Sequence, residues 1–221
     1  MQIMALEIAT YFPQQVVTNE EIESWGVSIR GKLLRAQSIH ERVGVERRYW
    51  ARADETILDM GKQSVLVLPS SQTPDMVFFS TSFPDGVNNA YEMVKNLNST
   101  ADKCMNVHAA CSGTTLALIY LFEHSDLFSG RRILIVASEK YSPTLVDLKS
   151  EKPDPSLSQT IFSDGAVAWA FTEGYDLKIL NALNYSFPKE KSTCLRMPVK
   201  YNLIRHPALI VDIPSSENEC F

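Results

Sequence analysis

An α/β fold, with a mostly parallel mixed sheet and helices on both of its faces, is what three features of this 221-residue sequence predict. Short apolar runs alternate with longer stretches whose apolar residues recur at helical spacing. The runs DMVFFSTS (75–82) and RRILIVASE (131–139) are apolar without strict alternation, the pattern of strands covered on both faces. The composition, 45% hydrophobic and 21% charged, is that of a globular chain able to bury one sizeable core or two small ones.

The elements follow in order. MQIMALEIAT alternates loosely and suits a first strand, stopped by Pro13. TNEEIESWG reads as a capped helix start, with Thr18 or Asn19 as cap, Glu21 in the first turn and Gly26 at the exit. TILDMGKQSVLVL (56–68) has helical spacing, with Thr56 as cap. The buried strand 75–82, between Pro74 and Pro84, precedes the helical NNAYEMVKNLN. KCMNVHAA is then a strand, and SGTTLALIYLFEHSDLFSG a helix ending at Gly130. RRILIVASE is the clearest buried strand, and GAVAWAFT with LKILNALNYS reads as a pair of strands. From Ser186 the pattern is broken by Pro188, Pro198, Pro207 and Pro214. The expected organisation is one domain over 1–185 and an irregular tail over 186–221.

The basic residues are scattered and the net charge is −5, which argues against a nucleic-acid binder. No apolar run reaches the ~18 residues of a membrane span. The start, MQIMALEIATYFP, lacks a basic region and a small-residue cleavage site, and the four cysteines suggest no disulfide framework. A reducing cytoplasm is the expected setting.

The chemistry is concentrated at CMNVHAACSGTTLALIYLF (104–122). If a strand ends near Ala110 and a helix starts near Ser112, Cys111 lies where unpaired N–H groups and the positive end of the helix dipole favour a thiolate. Ala109 and Ala110 suit a tight turn, and Gly113 lets another backbone or a ligand come close. Such a thiol can attack a thioester, with its own N–H available to the oxyanion. A lone cysteine among small residues beside a helix is more often packing than a nucleophile.

Five stretches in order resemble the β-ketoacyl-acyl carrier protein synthase III family of the thiolase superfamily. They are YFPQQVVTNEEI, ERVGVERR, VFFSTSFPD, HAACSGTTLAL, and ILIVASEKYS with FSDGAVAWAF, spanning Tyr11 to Phe171. The resemblance implies a thiolase-like fold represented by its N-terminal half, the C-terminal half of the duplicated fold being absent. It implies that Cys111 takes an acyl group from an acyl-CoA and that its N–H forms half of an oxyanion hole. It places Arg42 beside the coenzyme A entrance, Gly113 at the substrate site, and Asp164 and Gly165 in a turn near the active site, with Gly165 adopting a backbone conformation closed to larger residues. Ser163 stands where the family commonly has glycine. Ser38 stands where a tryptophan often stacks on the adenine, a departure that weakens the match to an ordinary acyl-CoA site.

Family members draw the histidine and asparagine for decarboxylation and condensation from the half that follows. Of the histidines here, His108 is expected to be packed, His124 lies over three helical turns beyond Cys111, and His206 falls in the tail. Cys104, His108, Cys111 and His124 do not match the loop spacing of a structural zinc site, so no metal is expected. No papain-type signature surrounds Cys111. Arg30, Lys32, Arg35 and Arg42 form either a solvated helix face or a docking surface for an acidic acyl carrier protein or a coenzyme A phosphate. The helix after Cys111, apolar nearly all round, is expected to be buried in the layer between sheets or at a subunit contact. No cofactor is expected beyond a coenzyme A thioester as substrate. The partners expected are acyl-CoA, possible acyl carrier protein, and a second copy or a heteromeric subunit supplying the missing half. Two functions follow: a cysteine-dependent acyltransferase of fatty-acid or specialised-metabolite synthesis, or a non-catalytic fragment or partner of a split synthase.

Overall fold

A computed structural model of the chain describes residues 2–29, 31–69, 73–82, 85–142, 161–173 and 177–178. Its strands are β1 (Gln2–Tyr11), β2 (Gln15–Thr18), β3 (Ser28–Ile29), β4 (Lys32–Leu33), β5 (Arg47–Trp50), β6 (Met76–Ser80), β7 (Lys103–Val107), β8 (Arg132–Glu139), β9 (Gly165–Glu173) and β10 (Leu177–Lys178). The helices are α1 (Asn19–Ser24), α2 (Ala36–Val43), α3 (Ile57–Leu66), α4 (Asn89–Asn96) and α5 (Gly113–Glu123). Six of the described strands form one mixed sheet in the order β10-β1-β9-β8-β6-β7. The fold is α/β, as expected.

The chain divides into two compact units. The first comprises the described residues within Met1–Ala9, Leu68–Ala137 and Ala168–Phe221, and the second those within Thr10–Val67 and Ser138–Val167. The expected tail, 186–221, lies outside the described residues.

In the first unit β6 pairs in parallel with β7 on one side and with β8 on the other. All five β6 residues are buried, which is why MVFFS shows no alternation: a central parallel strand has no solvent face. Met76, Phe78, Val107, Ala117, Leu121, Phe128, Ile133, Ile135 and Phe171 make one continuous core. Helix α4 is capped by Asn88, whose side chain accepts from the Tyr91 N–H.

The helix following the cysteine departs from expectation. It ends at Glu123 rather than Gly130, giving way to a 3-10 turn over Ser125–Leu127, and Gly130 then takes φ +70°. Ser125 and Asp126 favour local side-chain bonding over helix continuation. Tyr120 packs on His124 and on Phe128, at ring separations of 4.6 and 5.9 Å, and this bends the chain back. Only Gly113, Ala117 and Leu121, one stripe of α5, are buried. Leu116, Leu118, Ile119, Tyr120 and Phe122 are half-buried, so burial all round does not hold. The expected pairing of the last two strands fails as well: β10 pairs antiparallel with β1, which lies between it and β9. Periodicity carries no information on which neighbour a strand chooses.

The second unit packs Val17, Ile22, Val27, Leu34, Ile39 and Trp50 together. Thr18, one of the two caps read for α1, is the one that caps it, and Thr56 caps α3 as read, closing a capping box with Asp59 that was not read from sequence. The antiparallel pair β2–β5 was not expected. It sets the buried Arg48 against Asn19, whose Oδ1 accepts from both terminal guanidinium nitrogens at 3.0 Å. Burial pushes the Arg48 guanidinium down to about 10. Asn19 in turn donates to the Val45 carbonyl at 2.7 Å, pinning the loop that leaves α2.

Candidate active site

Parallel strands bring like ends together. Ser80 at the end of β6 lies in register with Val107 of β7 and with Ala137 of β8. Ligands of open α/β sheets gather at such carboxyl ends. Strand β7 stops at Val107, and four residues later Cys111 stands exposed in the middle of a 3-10 turn, Ala110–Ser112. Helix α5 begins two residues beyond it, with Ser112 as its N-cap residue. The expected junction is therefore present, its strand ending three residues earlier than read.

Ala110 holds the turn in the left-handed region at φ +44°. This conformation costs an L-residue about 1–2 kcal/mol and is concentrated at functional sites. The turn is closed by the Ser112 N–H donating to the Ala109 carbonyl at 2.9 Å and the Gly113 N–H donating to that of Ala110. Sequence reading saw only that Ala110 is small; the sign of φ carries no residue signature at an alanine.

Gly113 is required by a close approach. A Cβ there would stand 1.9 Å from the Ser80 Oγ and 3.4 Å from the Val107 carbonyl oxygen. The neighbour is a side chain of the adjoining strand, where the sequence suggested backbone or ligand. Ser80 and Thr81 went unnoticed as site residues, although a Ser-Thr pair ending a buried apolar run was the available signal. His108 is exposed rather than packed, because β7 ends one residue before it, and its Nδ1 lies 3.5 Å from the Thr81 carbonyl. Burial pushes the Cys104 thiol, half-buried on β7, upward. Among the described residues no cluster of His, Cys, Asp or Glu could hold a metal ion.

In the second unit, Ser163 and Asp164 lead directly into β9, which starts at Gly165. Asp164 is 1% exposed. Its Oδ1 accepts from the N–H groups of Tyr141 and Ser142 and its Oδ2 from that of Ala51, the last at 2.7 Å. One carboxylate thus joins the exit of β5, the segment after β8 and the entrance to β9. Ser163, in place of glycine, adds a bond: its Oγ accepts from the Tyr49 N–H at 2.7 Å. Gly165 opens β9 and is not among the glycines with positive φ. The fit is close: a Cβ would lie 3.1 Å from the Tyr11 carbonyl oxygen and 3.4 Å from the Phe12 ring, so these neighbours would have to give by a few tenths of an ångström.

Arg42 is exposed in the last turn of α2, which ends at Gly44 with φ +71°. Arg35 is engaged with the Glu23 carboxylate at 2.7 Å. Ser38 is half-buried on α2, and Arg30 and His206 lie outside the described residues.

A mixed sheet with an exposed cysteine on a strained turn, at the carboxyl ends of its parallel strands, defines a thiolase-like α/β protein. Comparison with known proteins agrees. Residues 105–186 match the profile of the family described as 3-oxoacyl-[acyl-carrier-protein (ACP)] synthase III. The chain is 26% identical over 199 residues to a beta-ketoacyl-[acyl-carrier-protein] synthase III of Prochlorococcus marinus, covering 87% of this chain and 56% of that one. It is 29% identical over 171 residues to the protein of that name from Methylococcus capsulatus, covering 72% and 48%. Its fold superposes on the crystal structure of 3-oxoacyl-[acyl-carrier-protein] synthase III from Aquifex aeolicus with a TM-score of 0.62 at 23% identity, covering 79% of this chain and 54% of that one. The chain is similar to the β-ketoacyl-acyl carrier protein synthase III family in sequence and shares its fold. It spans about half the length of the curated relatives it matches.

Proposed function

We propose that the chain acts as a cysteine-dependent acyltransferase of the β-ketoacyl-acyl carrier protein synthase III type, loading an acyl group from acyl-CoA onto Cys111. The observation that carries this reading is the Ala110 φ of +44°, which turns the backbone so that the exposed Cys111 precedes helix α5. In the loading step the Cys111 sulfur attacks the thioester carbonyl carbon. The tetrahedral oxyanion is met by the Cys111 N–H, the carbon–sulfur bond to coenzyme A breaks, and the departing thiolate takes up the proton given up by Cys111. Arg42, with exposed positive charge on α2, would receive a coenzyme A phosphate. Gly113 lets α5 start against β6, and Asp164 and Gly165 brace the second unit; these are the positioning contributions in the same proposal. No resident cofactor is proposed, and coenzyme A enters as substrate.

A second reading rests on the span of about half the relatives' length. Carbon–carbon bond formation by the family uses a histidine and an asparagine from the half that follows. In this reading the chain is one part of a synthase completed from outside residues 1–221, as a homodimer or with a heteromeric partner, in the cytoplasm and serving fatty-acid or specialised-metabolite synthesis. An acyl carrier protein is the acceptor's natural carrier in either case.

The test is intact-mass measurement after incubation with short and medium acyl-CoAs, beside Cys111→Ala. A gain of one acyl mass, absent in the variant, is expected. No adduct on a folded protein with any donor would remove the loading reading and leave the partner reading.

A further inference from the structure

Lys140 follows directly on β8, and its ammonium group enters a cage of backbone oxygens. Its Nζ donates to the carbonyls of Arg52 at 2.8 Å, Ala53 at 3.3 Å and Glu55 at 2.6 Å. All three acceptors come from one four-residue turn, more than eighty positions away in sequence. A lysine ammonium has three N–H donors and no acceptor, and three oxygens meet it here.

The neighbouring acidic side chains do not explain the arrangement, because they are engaged elsewhere. The Glu55 carboxylate accepts from the Tyr11 hydroxyl at 2.5 Å and from the Arg52 N–H at 3.2 Å. Asp54 accepts from the Arg52 Nε at 3.1 Å. The Arg52 carbonyl already accepts from the Glu55 N–H at 3.1 Å, so the turn is tight before Lys140 arrives. The donor side of the same segment is held by an anion: the Ala51 N–H donates to Asp164. The segment 51–55 therefore offers its N–H to a buried carboxylate and its converging carbonyls to a positive charge.

Converging backbone carbonyls replace the hydration shell of a small, singly charged cation. We infer that residues 52–55 form a site for one monovalent cation, which this chain fills with the ammonium of Lys140, and that the charge itself closes the turn into α3. The inference is independent of acyl loading at Cys111.

The test uses Lys140→Met, which keeps an unbranched apolar stem and removes the charge. Melting is followed in the chlorides of sodium, potassium, ammonium and the bulky N-methylglucammonium at equal concentration, beside the unaltered protein. Trypsin cleavage after Arg52, quantified by mass, reports the turn locally. In N-methylglucammonium chloride, K140M is expected to melt about 5 °C lower than the unaltered protein and to be cut at Arg52 about tenfold faster. Ammonium or potassium should recover at least about half of both effects in the variant, saturably, and leave the unaltered protein unmoved. Equal behaviour of K140M in all four salts overturns the cation site and leaves only packing. An unchanged variant overturns it as well, as does a parallel response of both proteins. If K140M does not fold in sodium chloride, a higher refolding yield in ammonium than in N-methylglucammonium chloride supports the site, and equal yields overturn it.

Discussion

Gly113 has no room for a methyl group, and the reason lies one strand away. A Cβ would overlap the Ser80 Oγ at 1.9 Å. Adding that atom forces the Ser80 side chain to turn away or α5, carrying the cysteine turn at its head, to withdraw from β6. Gly113→Ala is expected to cost roughly 1–3 kcal/mol, as overpacking in a closed site does. Ser80→Ala removes the Oγ but leaves the serine Cβ 3.0 Å away, so the double variant should recover part of the loss and no more. A thermodynamic cycle over the two single variants and the double measures that coupling; simple additivity would refute the contact as the cause. The same residue scale explains Asp164. A buried carboxylate accepting from three backbone N–H groups is a structural centre, and sequence resemblance alone could not distinguish it from a group that faces a ligand.

The second unit's helices are held at their ends by acids of known alignment. Glu23 in α1 accepts from the Ala36 N–H, at the start of α2, at 2.8 Å and from Arg35 at 2.7 Å. The Ala36 N–H first, and Arg35 second, hold the Glu23 carboxyl below its ordinary range. The sign follows from the linkage. A folded-state value below the unfolded one means the bond stabilises fully above the ordinary carboxylate range, about 4.3, and that this contribution is lost as pH falls through the lower folded value. Acid titration followed by amide exchange at Ala36 is therefore expected to show the start of α2 opening below that range. Glu23→Gln should flatten the dependence. An unchanged profile in the variant would mean the carboxylate does not hold the helix. Sequence identified the caps Thr18 and Thr56, which are local, but not Glu23, which caps a helix thirteen residues on.

At the scale of the whole molecule, the proposed chemistry separates into a loading step at Cys111 and a condensation step for which no base is assigned among the described residues. Loading at Cys111 needs a thiol, a turn and an oxyanion donor. Condensation draws, in the family, on a histidine and an asparagine from the other half. Among the described histidines, His108 is exposed beside Thr81, His124 packs at a tilt against Tyr120, and His40 lies 4.0 Å from Glu46. The expectation is an acyl-enzyme that persists when a carboxylated acceptor on a carrier is added, with no carbon–carbon product. Mass spectrometry of protein and small molecules follows both species. Product from residues 1–221 alone would show that this chain provides its own base.

The sequence alone determined the alternation of strands and helices, the caps made by Thr18 and Thr56, the covered strands 75–82 and 131–139, and the cysteine at a strand-to-helix junction. Each depends on residues a few positions apart, where hydrophobic period and capping chemistry act. The tertiary structure alone decided what depends on long-range partners: that β1 separates β9 from β10, that α5 buries one stripe only, that Gly113 yields to Ser80 and Gly165 to Tyr11, and that Lys140 closes the turn at 52–55. Those outcomes follow from which surfaces meet, and a pattern along one segment holds no record of the surface it will meet.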